Sequence, residues 1–401
     1  MNKNKSKLYL AHLKYNIMIN FFKVASIFIM SLMVFSCNKA DDPFVPYVVP
    51  YVEQYPKDLL AIDKYLDEYY MEVSADKDVT FKKIPTPNPS NFQSIRVQYA
   101  SMLHEKIVAK DDINYKVYYI SLREGTQKKP TSVDSIFVSY KGEYIYTKKE
   151  AVVPATNPVT YNSFIASSEF DQAQNPIWLK LYQFGGSDVI RGWKEIFPYF
   201  KSGTNTTNPN GSLNFADFGA GVMFLPSALA YYNGAVGSIP TYSPLIFTFK
   251  LHEVNYVDHD YDRIDSKDEG FDALGQSTKL DTDGDGRLNY LLDQDDDGDG
   301  LITKTEIKRP ARDTNGDIML DSSQKPIYVG HYPYNGAAVD DPLTTTIDET
   351  QGIPRKFTGP LRNPSLPESA TNKRRPLPSD YTDPLRVRRH LDSSSKFPYE
   401  N

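Results

Sequence analysis

Between residues 113 and 255, apolar and polar positions alternate with a period of two over several short runs. NYKVYYISLREG sets Tyr115, Val117 and Tyr119 against polar neighbours, and DSIFVSYKGEYIY keeps the same habit. In LIFTFKLHEV the residues Phe247, Phe249 and Leu251 fall on one side. Successive side chains of an extended chain point to opposite faces, so this pattern predicts strands. Two stretches follow the helical period instead. DLLAIDKYLDEYY repeats Leu59, Ile62, Leu66 and Tyr69 behind Asp58, a residue type that caps helices, and predicts an N-terminal helix. VIRGWKEIFPYF, in a helix expected to begin near Ser187, gathers Val189, Ile190, Trp193, Ile196, Phe197 and Phe200 on one side, with Gly203 suited to its exit. Pro198 sits awkwardly in that helix, because an interior proline removes a hydrogen bond and clashes one turn back. The fold class is therefore α+β, an antiparallel sheet wrapped around one short amphipathic helix.

Composition divides the rest of the chain. Residues 1–37 form a leader, 38–56 an aperiodic tether with several prolines, and 57–109 a helical extension. The strand-rich domain covers 110–256, an Asp- and Gly-rich segment 257–309, and a Pro- and Arg-rich tail, expected to be disordered, 310–401. With 401 residues, 40% of them hydrophobic and 13% aromatic, there is material for a sizeable core. A net charge of −6 argues against a nucleic-acid partner, which requires a concentrated basic surface. Nothing in the chain calls for an oligomer, and a monomer is expected.

The single cysteine, Cys37, rules out an intramolecular disulfide and a cysteine-based zinc site. Basic residues from Lys3 to Lys23 precede the apolar run VASIFIMSLMVFS, which ends at Cys37. A membrane span needs roughly 20 apolar residues, so this shorter run suits a secretory leader. VFSC resembles a bacterial lipobox, which implies lipidation at Cys37; an uncleaved anchor is the alternative, and Met18 is a second candidate start. The following KADD resembles the export signal of Bacteroidetes-type surface lipoproteins. Together these imply an outer-membrane lipoprotein facing the periplasm or the cell surface.

Two acidic blocks, DTDGDG at 281–286 and DDDGDG at 295–300, lie fourteen residues apart. Calcium takes six to eight hard oxygens around a sharp turn. In the second block Asp295, Asp297 and Asp299 stand at positions one, three and five of a calcium loop, the Leu301 carbonyl at seven, Thr303 at nine and Glu306 at twelve. The first block offers Asp281, Asp283, Asp285 and Asn289. Leu292 occupies its twelfth position, unless Asp293 serves instead. A third block, DTNGD at 313–317, lacks the glycine at six. The alternative is a solvated acidic linker. Without strong incoming helices the pair resembles tandem loops of the thrombospondin type 3 sort more than a sensor EF-hand pair.

In order along the chain, VSYKG, EFD, VIRGW, LPSALAYY, IPTYSPLIFTF and KLHEV resemble the FKBP-type peptidyl-prolyl cis/trans isomerases over residues 110–256. The resemblance implies an X-Pro isomerase that needs no cofactor and acts on proline-containing polypeptides. It also implies a site: Phe170, Asp171, Ile190, Trp193 and Tyr231 for catalysis, and Tyr140, Trp178, Val189, Ile239 and Phe247 for binding the substrate. Within it Trp193 forms the floor, Ile190 offers its N–H, Tyr231 its hydroxyl, and Asp171 stands at the rim. The chain departs from the family at Tyr232, where a glycine is usual, in the insertion 204–219, which is expected to narrow or cover the site, and in the NGAVGS loop tip. The alternative from another class is a non-catalytic module or scaffold built on the same fold.

Overall fold

The alternating runs come together as one six-stranded antiparallel sheet, and the helix-period runs cover its two faces. The computed structural model describes residues 47–152, 159–183, 189–313, 318–336, 352–369 and 372–395. Cys37 and the leader lie outside them, as does most of the 313–317 block. Helix α1 (Tyr51–Glu68) leads into the hairpin β1 (Tyr69–Val73) and β2 (Val79–Lys83), and the single turn α2 (Ile95–Gln98) follows. Then come β3 (Leu103–Lys110), β4 (Ile113–Arg123), β5 (Ser135–Ala151) and β6 (Tyr161–Lys180). After α3 (Arg191–Ile196) the chain forms the hairpin β7 (Thr204–Thr207) and β8 (Leu213–Ala216), then β9 (Gly219–Leu225) and β10 (Leu245–Asn255). The main sheet has the order β3-β4-β9-β10-β5-β6.

Strand register sorts the side chains onto the two faces. Phe247 stands opposite Gly142 and Met223, and Phe249 opposite Tyr140 and Gly221. These positions share a face with Val138, Tyr115, Val117 and Tyr119, and α3 packs there through Trp193, Ile196, Phe197 and Phe200. The Phe197 and Phe200 ring centres lie 4.7 and 4.8 Å from that of Phe249. A Cβ on Gly192 would come within 2.5 Å of the Leu225 side chain, so the glycine before Trp193 lets α3 close onto β9. Pro198 costs the helix nothing. The α-helix stops at Ile196 and a 3-10 turn, Phe197–Tyr199, takes over with proline in its first turn, where no N–H is required.

Covering of the opposite face did not follow from the alternation. Tyr118, Ile120, Val222, Phe224 and Ile246, the residues between the inward-facing ones, pack on Ile62, Tyr65 and Leu66 of α1. Helix α1 begins at Tyr51, ahead of the expected boundary, and carries Pro56 in its second turn. Asp58 therefore does not cap it; it is a buried interior residue with a different task.

His252 is buried against the Phe215 and Phe218 rings, its Nε2 3.0 Å from Ser139 Oγ. Burial, with the Lys250 and Arg123 charges, holds its pKa down to about 4. The unfolded chain takes up this proton near pH 6.5, so the stability that neutral His252 contributes is present above that pH and is lost as pH falls toward 4. Asp134, pushed up to about 6 by burial, acts in the opposite sense. His252→Gln is expected to lose less stability than the parent between pH 6.5 and 4, by up to about 3 kcal/mol. Urea melts at the two pH values test this, and parallel losses in both proteins would reject it.

Past β10 the chain stays attached to the sheet. The Val257 N–H donates to Asp134 at 3.2 Å, and the Ser132 N–H to the Gly275 carbonyl at 2.8 Å. The acidic segment holds the short helices α4 (Asn289–Leu292) and α5 (Thr303–Glu306). It is followed by the strand pair β11 (Lys308–Pro310) and β12 (Tyr328–His331), then α6 (Pro378–Thr382). The described part of the tail is not disordered. Ile264, Ile307, Tyr332, Ile353, Phe357 and Tyr381 form a small core, and the Arg355 Nε reaches Asp380 at 2.9 Å. The six residues come from short pieces scattered between 264 and 381, mostly irregular, so no periodicity announces this core.

Candidate functional site

Four rings from four elements meet beside α3. Trp193, on the first turn of the helix, has its ring centre 5.1 Å from those of Tyr140 on β5 and Phe247 on β10, nearly perpendicular to both. Phe170 on β6 meets Phe247 edge-on at 5.7 Å. Val189, Ile190, Tyr231 and Ile239 border the same cluster. Gly142 makes the arrangement possible, because a Cβ there would come 2.6 Å from Phe170 Cζ and 2.9 Å from Phe247 Cε1. It belongs to the VSYKG motif but has no part in the pocket that the resemblance implies. Register sets it opposite Phe247 on β10 and opposite Asp171, the neighbour of Phe170, on β6.

The polar rim is built on one carboxylate. The Tyr140 hydroxyl donates to Asp171 Oδ2 at 2.6 Å, and Asp171 itself is exposed. Burial and then Asp171 hold the Tyr140 phenol well above the usual range. Burial and the same charge push Tyr231 up. Both phenols therefore keep their protons and remain donors near the rim. The floor is closed: Trp193, Ile239 and Phe247 are 4%, 4% and 3% exposed. An incoming ring would meet the half-buried Tyr140, Phe170, Val189, Ile190 and Tyr231 first. No described residue accepts from the Ile190 N–H, and its carbonyl takes the Trp193 N–H at 3.1 Å.

The loop carrying Tyr231 and Ile239 is held by the N-terminal segment. Asp58 Oδ2 accepts from the Ser227 N–H at 2.8 Å and the Ser227 hydroxyl at 2.6 Å, while Oδ1 accepts from Gln54 at 2.6 Å. Tyr232 sits at φ 52°, in the left-handed region that glycine enters most readily. The departure thus leaves the turn in place, and the ring is turned to other use. It lies 4.2 Å from Tyr51 and 5.1 Å from Tyr242, and its hydroxyl donates to the Val49 carbonyl. Asp58→Ala would leave the buried Ser227 donors and Gln54 without their acceptor, an expected loss of about 2–4 kcal/mol. It should also lower any turnover that depends on Tyr231. Chemical denaturation measures the first effect, and a loss under 1 kcal/mol would show that the latch is dispensable.

Trp178 does not join the site. It is 51% exposed and pairs across the strands with Phe137, ring centres 5.1 Å apart. Phe137 is out of phase with Val138 and Tyr140, so this pair faces away from the Trp193 cluster. Insertion 204–219 does not cover the site either. It folds as the β7–β8 hairpin, whose Phe215 packs on Phe137 and His252 and whose Asn205 donates to Glu253 at 2.9 Å.

In the acidic segment, carboxylate oxygens of Asp281, Asp283 and Asp285 lie within 4.8 Å of one another, and so do those of Asp295, Asp297 and Asp299. The Gly286 N–H donates to Asp281 at 3.1 Å and the Gly300 N–H to Asp295 at 2.9 Å, drawing each loop around its first aspartate. Asn289, Thr303 and Glu306 are buried, and Leu301 half-buried, in the places the spacing assigns them. Leu292 is 48% exposed and turns away, whereas Asp293 is buried. Burial and then the charges of Asp283 and Asp285 push the Asp293 carboxyl up, even though the Asp295 N–H donates to it. Asp293 is thus the residue near the first loop that could stand in for its missing twelfth ligand. The donor set, hard oxygens on a tight turn, fits a calcium ion in both loops.

Comparison with known proteins gives limited overlap. A family profile described as BamM C-terminal matches residues 259–346, which span the acidic segment and the start of the tail; the matching profile is neither an EF-hand nor another calcium-loop family. No curated protein matches the sequence. Among solved structures, a peptidyl-prolyl cis-trans isomerase from Pseudomonas syringae pv. tomato is similar at 17% identity, over 52% of this chain and 98% of the other, with a TM-score of 0.26. FkpA from Escherichia coli is similar at 18% identity, over 51% of this chain and 60% of the other, with a TM-score of 0.25.

Proposed function

We propose that residues 110–256 catalyse rotation about X-Pro peptide bonds in exported or surface proteins, as a folding helper. The observation that carries this is the meeting of Tyr140, Phe170, Trp193 and Phe247 beside a carboxylate that Tyr140 fixes at the rim. The reaction requires no nucleophile or cofactor. Its barrier of roughly 18–20 kcal/mol arises because the amide loses resonance at the twisted midpoint. A site lowers it by fitting the twisted form better than the planar one and by keeping water off the carbonyl. The proline ring lies against Trp193 and its aromatic neighbours. The Ile190 N–H and the Tyr231 hydroxyl hold the flanking carbonyls, and Asp171 orients the turning amide. The test is an X-Pro peptide assay with and without Trp193→Ala. Acceleration by the parent that the variant loses supports catalysis.

The second reading, a binding module that holds a proline-containing partner without turning it over, is favoured by the buried floor: Trp193, Ile239 and Phe247 offer a peptide little free surface. Binding without acceleration in the same assay would select it. The rest of the proposal places the chain in the envelope, anchored through lipidated Cys37 in the outer membrane, with calcium in the loops at 281–292 and 295–306. Support for calcium comes from the clustered carboxylates and the buried Glu306.

A further inference from the structure

Residues 258–269 read DHDYDRIDSKDE, and glycine-based loop motifs pass over them. Counted from Asp258, they hold aspartate at one, three and five, the Ile264 carbonyl at seven, Ser266 at nine and Glu269 at twelve. Tyr261 and Arg263 stand at four and six, where both neighbouring loops have glycine. The backbone follows the neighbours all the same. At position four φ is 66°, 78° and 68° for Tyr261, Gly284 and Gly298; at six it is 83°, 91° and 93° for Arg263, Gly286 and Gly300.

The hydrogen bonds repeat as well. The N–H at six donates to the first aspartate at 3.0, 3.1 and 2.9 Å in the three loops. The N–H at seven donates to the fifth residue at 2.7, 2.7 and 2.9 Å. The N–H at nine reaches the carbonyl just before the loop at 2.9, 3.1 and 2.7 Å. Non-glycine residues in the left-handed region cost on the order of 1–2 kcal/mol each, so the fold imposes this turn on a sequence that resists it.

A turn of this kind is not yet a site. What points to a ligand is the carboxylates it encloses. Glu269 is 3% exposed and neither of its oxygens has a hydrogen-bond partner. Asp296, from the adjoining loop, is 0% exposed and neither of its oxygens accepts a hydrogen bond. Buried Asp260 and Asp262 each leave one oxygen unpartnered. Oxygens of Asp258, Asp260 and Asp262 lie within 4.8 Å of one another, as do oxygens of Asp262, Glu269 and Asp296. Glu269 and Asp296 also line a cavity of about 300 Å³, with His390 on its wall. Burying one ionised carboxylate costs several kcal/mol, so carboxylates crowded in this way are relieved by sharing protons or by a cation, and the loop built around them favours the cation.

We propose that residues 258–269 form a third calcium loop, in which Asp258, Asp260, Asp262, the Ile264 carbonyl and Glu269 hold one ion and Asp296 is lent by the neighbouring loop. The choice of cation rests on the calcium reading of the other two loops. Calcium takes six to eight oxygens in flexible geometry, as a loop with this many donors offers, whereas magnesium demands a near-ideal octahedron and retains its waters. The test counts ions by native mass spectrometry of the whole chain, stripped of metal and then titrated with calcium chloride. The parent is expected to bind three ions, Glu269→Gln two, and Glu306→Gln two. A parent that binds two, with Glu269→Gln also binding two, overturns the third loop and leaves the other pair standing. A parent that binds none overturns all three.

Melting adds a reading that does not depend on the count. Glu269→Gln should raise Tm in excess chelator, by removing a buried charge, and lower it in excess calcium; shifts of the same sign in both media overturn the proposal. If Glu269→Gln does not fold, Asp258→Asn, at the half-buried edge of the loop, replaces it: two ions support the proposal and three overturn it.

Discussion

Trp193→Ala should abolish the acceleration of X-Pro isomerisation and destabilise the sheet domain by about 3–5 kcal/mol, the usual cost of truncating a buried large aromatic residue. Both effects have one origin. The ring lies beneath the candidate cleft and also joins Tyr140, Phe197 and Phe247 in the core between α3 and the sheet. Its loss therefore removes the floor and loosens the walls. Trp193→Phe, which keeps an apolar ring, separates the two contributions: stability should recover in large part and turnover only in part. Activity is read from an X-Pro peptide assay at a temperature where the variants are still folded, stability from urea melts. Full turnover in a folded Trp193→Ala would remove the isomerase proposal, since no other described ring can take that place.

Chelation should open the region from Asp258 to Ile307 to trypsin while the six-stranded sheet stays folded. Each loop gathers three aspartates within 4.8 Å, and in the proposed calcium-bound form an ion offsets their repulsion. An ion supplied at 100 times its Kd stabilises the folded loop by about 2.7 kcal/mol, and that support disappears with the calcium. Lys279 and Arg287, exposed beside and within the first loop, are the expected cleavage points. The sheet should be spared because its two cores use apolar residues from 51 to 256, all of them before the first acidic loop. Digestion patterns with calcium and with chelator decide the matter. The same pattern in both would mean that the acidic segment holds its shape by hydrogen bonds alone.

Much of the sheet was readable in advance because strand side chains obey a strict period. Phe247, Phe249 and Leu251 had to share a face, and they pack on α3 as the pattern requires. Of the ten candidate pocket residues, eight share one core cluster, Trp193 among them, and Asp171 joins through Tyr140, because their places follow from those strands and from the one helix between them. Trp178 does not. It stands opposite Phe137, one position out of phase with Val138 and Tyr140, and so belongs to the other face of the sheet. Helix α1 was half legible. Its apolar stripe was evident, but its start was hidden by Pro56 and its partner, the far face of the sheet, could not be named from a local pattern.

Properties carried by neighbouring residues, namely strand and helix periods, the order of the pocket motifs and the two glycine-bearing acidic loops, are present in the linear chain. They are local, and spacing along the backbone imposes them whatever the remainder does. Contacts between distant residues emerged only on folding: Asp58 under Ser227, Gly142 between two rings, Asp296 beside Glu269, the small core of the tail. They depend on which surfaces meet, and close packing settles that once for the whole molecule. The loop at 258–269 belongs to both classes. Its aspartates keep the spacing, but Tyr261 and Arg263 disguise the turn, and only the bend that the surrounding structure forces on them brings the carboxylates together.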